Sequence, residues 1–232
     1  MRKLIYLFVI LLLAACQSDD EALFDAIKGK DKNEVSRILS RGAVDINPPS
    51  ELYSVNKPLA YASAYGNLEI VKVLIEAGAD INGQVAYGDV ALIKAGEHGN
   101  QEIIEYLIEV GADVNKPNAF GVSPFIGFGI SEDIAIVKLA LDYGGKINNS
   151  YPNRTNQGKG KNNFTALQAA AYYGKSEVVE LFLARGGDPL VKSSDGENSL
   201  DLAKRKGYHE VTKLFETFLA GNQMATPEGD AL

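Results

Sequence analysis

The stretch Lys57–Asn82, KPLAYASAYGNLEIVKVLIEAGADIN, decides how the rest of the chain is read. Within it Ile70, Val71, Leu74 and Ile75 fall at i, i+1, i+4 and i+5, one apolar stripe of a short helix. Gly78 follows that stripe, where a left-handed C-terminal cap favours glycine. The stretch recurs as VALIKAGEHGNQEIIEYLIEVGADVN over Val90–Asn115 and as TALQAAAYYGKSEVVELFLARGGDPL over Thr165–Leu190. Gly111, Gly144 and Gly186 repeat the cap, and Pro58 and Pro124 stand at first-turn positions, where a missing N–H costs little. The landmark apolar residues Leu59, Leu92, Phe125, Leu167 and Leu200 are spaced by 33, 33, 42 and 33 residues. No pair of helices this short can bury its own stripe, so stacking between neighbours has to supply the core.

A 33-residue period with an opening like T-P-L-H-x-A resembles the ankyrin repeat. The resemblance reaches from Glu21 to Ala220 and takes in a first unit, EALFDAIKGKDKNEVSRILSRGA, and a last, NSLDLAKRKGYHEVTKLFETFLAG. It implies an all-α fold, an ankyrin-repeat solenoid of about six helix-turn-helix units with finger loops, over residues 22–220. The two end units diverge most, as suits caps that face water on one side. Residues 221–232 are polar, hold Pro227 and Gly229, and are expected to form a disordered tail.

Two departures stand out. In the fourth unit, SPFIGFGISEDIAIVKLALDYGGKIN, Glu132 takes the place of Gly66, Gly99 and Gly174, and Gly127 and Gly129 weaken helix propensity. An irregular first helix is expected there. The step of 42 residues places a Gly/Asn-rich insert at 149–163, carrying Arg154, Lys159 and Lys161. Loops of that length in a compact array are either functional or disordered.

The N-terminus has its own logic. Arg2 and Lys3 precede twelve uncharged residues, Leu4–Ala15, too short to span a bilayer but suited to a secretory leader. Leu13-Ala14-Ala15-Cys16 resembles the lipobox of bacterial lipoproteins. That resemblance implies a signal peptide over 1–15, lipidation of Cys16, and a tether over 16–21. Gln17 after the cysteine, where an Asp tends to retain such proteins in the inner membrane, implies the outer membrane facing the periplasm. The alternative is a soluble secreted protein cleaved after Ala15 with a free Cys16 thiol. A tether this short, at ~3.3–3.6 Å per residue, keeps any partner close to the membrane.

Chemistry-bearing motifs are absent. His98 and His209 fall in different units beside turns, and HEVTK at His209 lacks the second histidine of a zinc-protease helix. QGKGKNN lacks the spacing of a phosphate-binding loop. No catalytic group, metal or cofactor is therefore expected. A net charge of −7, lowered further once Arg2 and Lys3 are removed with the leader, argues against nucleic acid as a partner.

The ankyrin resemblance implies protein binding through finger loops and the exposed face of the first helices. Register maps the free finger positions onto Tyr53 and Ser54, Ala86 and Tyr87, and Ala119 and Phe120. On the first helices it maps Ala64 and Tyr65, Glu97 and His98, Ile130 and Ser131, and Tyr172 and Tyr173. Tyr53, Tyr65, Tyr87, Phe120, Tyr172 and Tyr173, with Arg154 of the insert, are the candidate partner-binding residues. Tyr87 and Phe120, one period apart, should stand side by side. For Tyr65 and Tyr173, packing on a neighbouring unit is an equal alternative.

Two functions follow from the lipoprotein and ankyrin resemblances together. One is an immunity protein, monomeric alone, that neutralises an antibacterial lipase effector of a type VI secretion system. The other is a periplasmic accessory factor for catalase and peroxide resistance.

Overall fold

The computed structural model describes residues 19–49, 57–152 and 164–224. Among them the regular structure is helical, in six pairs. These are α1 (Asp19–Lys28) with α2 (Lys32–Leu39), α3 (Pro58–Tyr65) with α4 (Leu68–Glu76), and α5 (Ala91–Glu97) with α6 (Gln101–Glu109). There follow α7 (Pro124–Phe128) with α8 (Ile134–Asp142), α9 (Ala166–Tyr172) with α10 (Ser176–Ala184), and α11 (Ser199–Lys206) with α12 (His209–Met224). A single 3-10 turn covers Ala86–Gly88.

The chain forms two compact units, one of residues up to Ala86 with Val90–Gly111, the other of Tyr87–Asp89 with residues from Ala112 onward. In the first unit α1 packs on α3 and α3 on α5, while α2 packs on α4 and α4 on α6. In the second, α7, α9 and α11 form one such row and α8, α10 and α12 the other. Each unit therefore buries two rows of apolar stripes. Leu23, Ile27, Ile70, Val71, Leu74, Leu92 and Leu107 are fully buried in the first, and Phe125, Leu167, Phe182, Leu202 and Phe215 in the second.

The glycines after the second helices adopt the expected left-handed conformation, with φ of 91° at Gly78, 99° at Gly111, 88° at Gly144 and 85° at Gly186. Pro58 and Pro124 sit in the first turns of α3 and α7.

An asparagine ladder, which the sequence patterns do not announce, ties successive pairs together. Asn115 Nδ2 donates to the Gly144 carbonyl at 2.9 Å while its Oδ1 accepts from the Lys146 N–H at 2.9 Å. Asn148 does the same to Gly186 and Asp188, at 3.0 and 2.8 Å, and Asn47 to Gly78 and Asp80, at 2.9 and 2.7 Å. Each asparagine thus satisfies a carbonyl at the next helix end that would otherwise lack a partner. Asp45, Asp80 and Asp113 set the ladder, each accepting from the N–H of the asparagine two residues on, at 2.9, 3.0 and 2.8 Å.

Two boundaries move. Helix α1 begins at Asp19, inside the expected 16–21 tether, because Asp19, Asp20 and Glu21 form an acidic first turn that the helix dipole favours. Helix α12 runs to Met224, beyond the expected Ala220 boundary, since Gly221 alone costs only about 1 kcal/mol and the helix-stopping Pro227 lies further on. The leader, Cys16, Tyr53 and Ser54, Arg154, and residues 225–232 lie outside the described residues.

Candidate protein-binding surface

In the first unit an aromatic row follows the first helices. Phe24 of α1 meets Tyr61 of α3 edge-on at 5.1 Å between ring centroids, Tyr61 meets Tyr65 at 4.9 Å, and Tyr65 meets His98 at 4.8 Å. Tyr65 therefore packs on the neighbouring pair, yet 49% of it remains exposed. His98 caps α5, with Nδ1 3.0 Å from the Lys94 carbonyl oxygen. Asn100 Nδ2 donates to the Ser63 and Ala64 carbonyls at 2.7 and 2.9 Å, closing the end of α3 just before Tyr65. Register mapping points to Tyr65 and His98 but misses Phe24 and Tyr61, whose signal is the four-residue step from Tyr61 to Tyr65 along one helix face.

In the second unit Tyr87 and Phe120 stand together, ring centroids 5.6 Å apart and tilted by 33°. Tyr87 is 52% exposed and Phe120 45%, with Val122 beside them at 39%. Tyr87 holds φ 59° and ψ 12°, the left-handed region that side chains other than glycine avoid. Its carbonyl accepts from the Ala119 N–H at 2.6 Å. The second loop is a tight turn, in which Asn118 Oδ1 accepts from the Phe120 and Val122 N–H groups, both at 3.0 Å. Gly121 (φ 79°) lets the Tyr151 carbonyl approach where a Cβ would lie 2.3 Å from it. The described start of the long insert is thereby seated on the finger loop that carries Phe120. Burial pushes the Tyr151 phenol up.

Tyr172 and Tyr173 are in contact edge-on at 5.1 Å, and Phe164 packs on Tyr172 at 5.4 Å. Lys206 Nζ lies 3.9 Å from the centre of the Tyr172 ring, with the Arg205 guanidinium at 5.8 Å. A hydrogen bond and the charge of Lys206 hold the Tyr172 phenol below the usual tyrosine range. Tyr172 is thus committed to the next pair, whereas Tyr173 is 52% exposed.

The Glu132 departure has a structural consequence. Helix α7 is only five residues long, and Glu132 pairs with Lys175 Nζ at 3.1 Å. An open cleft of about 440 Å³ lies beside this short helix, lined by Ser131, Glu132, Tyr173, Lys175, Ser176 and Glu210. Ile130 and Ser131, mapped onto the first helix, lie in the turn after it, because α7 ends at Phe128. Among the described residues no cluster of three or more His, Cys, Asp or Glu is placed to hold a metal ion.

A surface of this kind binds by shape and apolar area, with aromatic rings held on short, hydrogen-bonded loops. Comparison with known proteins agrees with the fold beneath it. A family model of ankyrin repeats in three copies matches residues 6–118, and a second, of ankyrin repeats in many copies, matches 147–203. The crystal structure of the ankyrin-repeat protein EF0377 superposes with a TM-score of 0.70 at 30% identity, covering 85% of this chain and 97% of that one. A chain from the complex of the predatory endopeptidase Bd0816 of Bdellovibrio bacteriovorus with immunity protein Bd3460 superposes at 0.69 and 24% identity, with coverage of 85% and 97%. The E3 ubiquitin-protein ligase XBAT32 of Arabidopsis thaliana is 37% identical over 84 residues, which span 34% of this chain and only 16% of the ligase.

Proposed function

Since the chain belongs to the ankyrin-repeat family, whose members are generally protein-interaction modules, we propose that it is a membrane-tethered immunity protein. It binds and neutralises an antibacterial hydrolase, of the lipase class, that reaches the periplasm. The observation that carries the binding role is the half-exposed Tyr87–Phe120 pair, two rings outside the core and held against each other by their loops. Tyr is well suited to such a task, giving large contact area with few rotatable bonds.

The immunity role draws on two further supports. One is the lipobox-like Leu13–Cys16 stretch, which would anchor the protein through Cys16 at the outer membrane. With α1 beginning at Asp19, only Gln17 and Ser18 lie between that anchor and the first helix. A partner that works at the lipid surface would meet such a protein most readily. The other support is the likeness of fold to a chain of an endopeptidase–immunity complex.

The test is direct. Protein lacking residues 1–16 is mixed with the lipase encoded beside it, and binding and residual lipase activity are measured. Nanomolar binding with loss of hydrolysis is expected; no measurable binding sinks the lipase reading. Binding of a neighbouring peptidase in its place keeps the immunity role and replaces the enzyme class.

A further inference from the structure

The two loops that carry Tyr87 and Phe120 are joined by one side chain. Asn118 spends its Oδ1 within its own turn, on the Phe120 and Val122 N–H groups at 3.0 Å each. The backbone closes the same turn, Asn118 N–H to the Val122 carbonyl at 3.0 Å and Gly121 N–H to the Asn118 carbonyl at 3.1 Å. The remaining polar atom, Nδ2, leaves the turn and donates to Asp89 Oδ1 at 2.8 Å. Asp89 is only 8% exposed and lies two residues beyond the left-handed Tyr87. A bond to a buried carboxylate is stronger than one between neutral groups, and beside it the Ala119 N–H reaches the Tyr87 carbonyl.

We propose that Asn118 and Asp89 form a clamp that presets the Tyr87–Phe120 pair for a protein partner, an inference that rests on the finger-loop reading above. Asn118 is a positioning residue: it touches neither ring, but fixes the loop bearing one ring to the loop bearing the other. Rings held in place before encounter surrender less freedom on binding, so a preset pair binds more tightly than a mobile one of the same area. The clamp also explains why a tyrosine occupies a backbone conformation that favours glycine. Asp89 on one side and the Ala119 bond on the other hold that conformation in place.

The experiment follows the ring-to-ring nuclear Overhauser effect between Tyr87 and Phe120 in the full, detergent-solubilised chain, with amide exchange at Phe120 and Val122. Asn118→Asp keeps an acceptor for those two amides, so their exchange should stay within about threefold of the parent. It removes the donor to Asp89 and sets two carboxylates face to face, so the ring-to-ring signal should disappear. Adding Asp89→Asn restores a donor with the opposite polarity, and the signal should return. A ring-to-ring signal that persists in Asn118→Asp, or that Asp89→Asn fails to restore, overturns the clamp. The partner reading fails separately: a Tyr87→Ala/Phe120→Ala chain that binds the lipase as tightly as the parent removes the pair from the interface, whatever the clamp variants do.

Discussion

Tyr87 and Phe120 lie one repeat apart in sequence and 5.6 Å apart between ring centroids, both about half exposed. Neither ring contributes to the buried stripes, so their removal separates binding from folding. The double variant Tyr87→Ala/Phe120→Ala should weaken partner affinity by several kcal/mol, within the range of interface hot spots. Calorimetric titration against the lipase reads the loss, and an unchanged urea midpoint shows that the fold is intact.

Replacing Tyr87 by glycine asks the opposite question. A left-handed backbone costs an ordinary residue about 1–2 kcal/mol, which glycine avoids, against a loss of up to about 1 kcal/mol from its freer unfolded chain. Tyr87→Gly should therefore leave thermal stability equal or slightly raised while partner binding falls. A clear drop in melting temperature would show that the φ of 59° is not a strained state.

The asparagine ladder makes a prediction about stacking. Asn115→Ala leaves the Gly144 carbonyl and the Lys146 N–H without their partner. Loss of a partner to such groups costs roughly 1–3 kcal/mol where water cannot replace it. Both groups lie in an exposed stretch, so the lower end of that range is expected in urea unfolding. Asn115→Asp, which keeps the acceptor and loses the donor, should fall between the two.

Tyr172 offers a readout in pH. Its phenol is held below the usual tyrosine range, first by a hydrogen bond from Lys206 and then by that residue's charge. A depressed folded-state pKa contributes stability that is fully present above the unfolded value and lost as pH falls through the folded one. The contribution is thus an alkaline one, absent at neutral pH. Titration of the tyrosine absorbance should show one phenol ionising early, and Lys206→Met should return it to the main group without changing stability at pH 7.

Much of this was legible because the repeat writes each physical requirement once per period. The cap glycines, first-turn prolines and apolar stripes returned at the positions their spacing gave, and register alone put Tyr87 beside Phe120. Asn115 and Asn148 were visible as residues but not as a ladder, because a bond between neighbouring repeats leaves no local pattern. Phe24 and Tyr61 were missed for a related reason: an aromatic on a first helix reads as core until its neighbour's ring shows which way it faces. The left-handed Tyr87 had no signal at all, since the residue type argues against that conformation.

The last prediction concerns a size exchange inside the core. The landmark position is leucine at Leu59, Leu92 and Leu167, but Phe125 in the fourth pair, and the residue after its cap glycine is Gly145 where Ala79 and Ala112 stand elsewhere. A Cβ on Gly145 would lie 2.4 Å from Phe125 Cε2, with no room for the ring to retreat, because Phe125 is fully buried against Phe182 at 5.5 Å. Gly145→Ala should therefore cost about 1–3 kcal/mol by overpacking. Phe125→Leu alone should cost a comparable amount through the space it leaves. Together they recreate the arrangement of the neighbouring repeats, so the double variant should be more stable than the two single costs predict, with a coupling of about 0.5–3 kcal/mol. Additive costs in a double-mutant urea series would show that the two positions do not share that space.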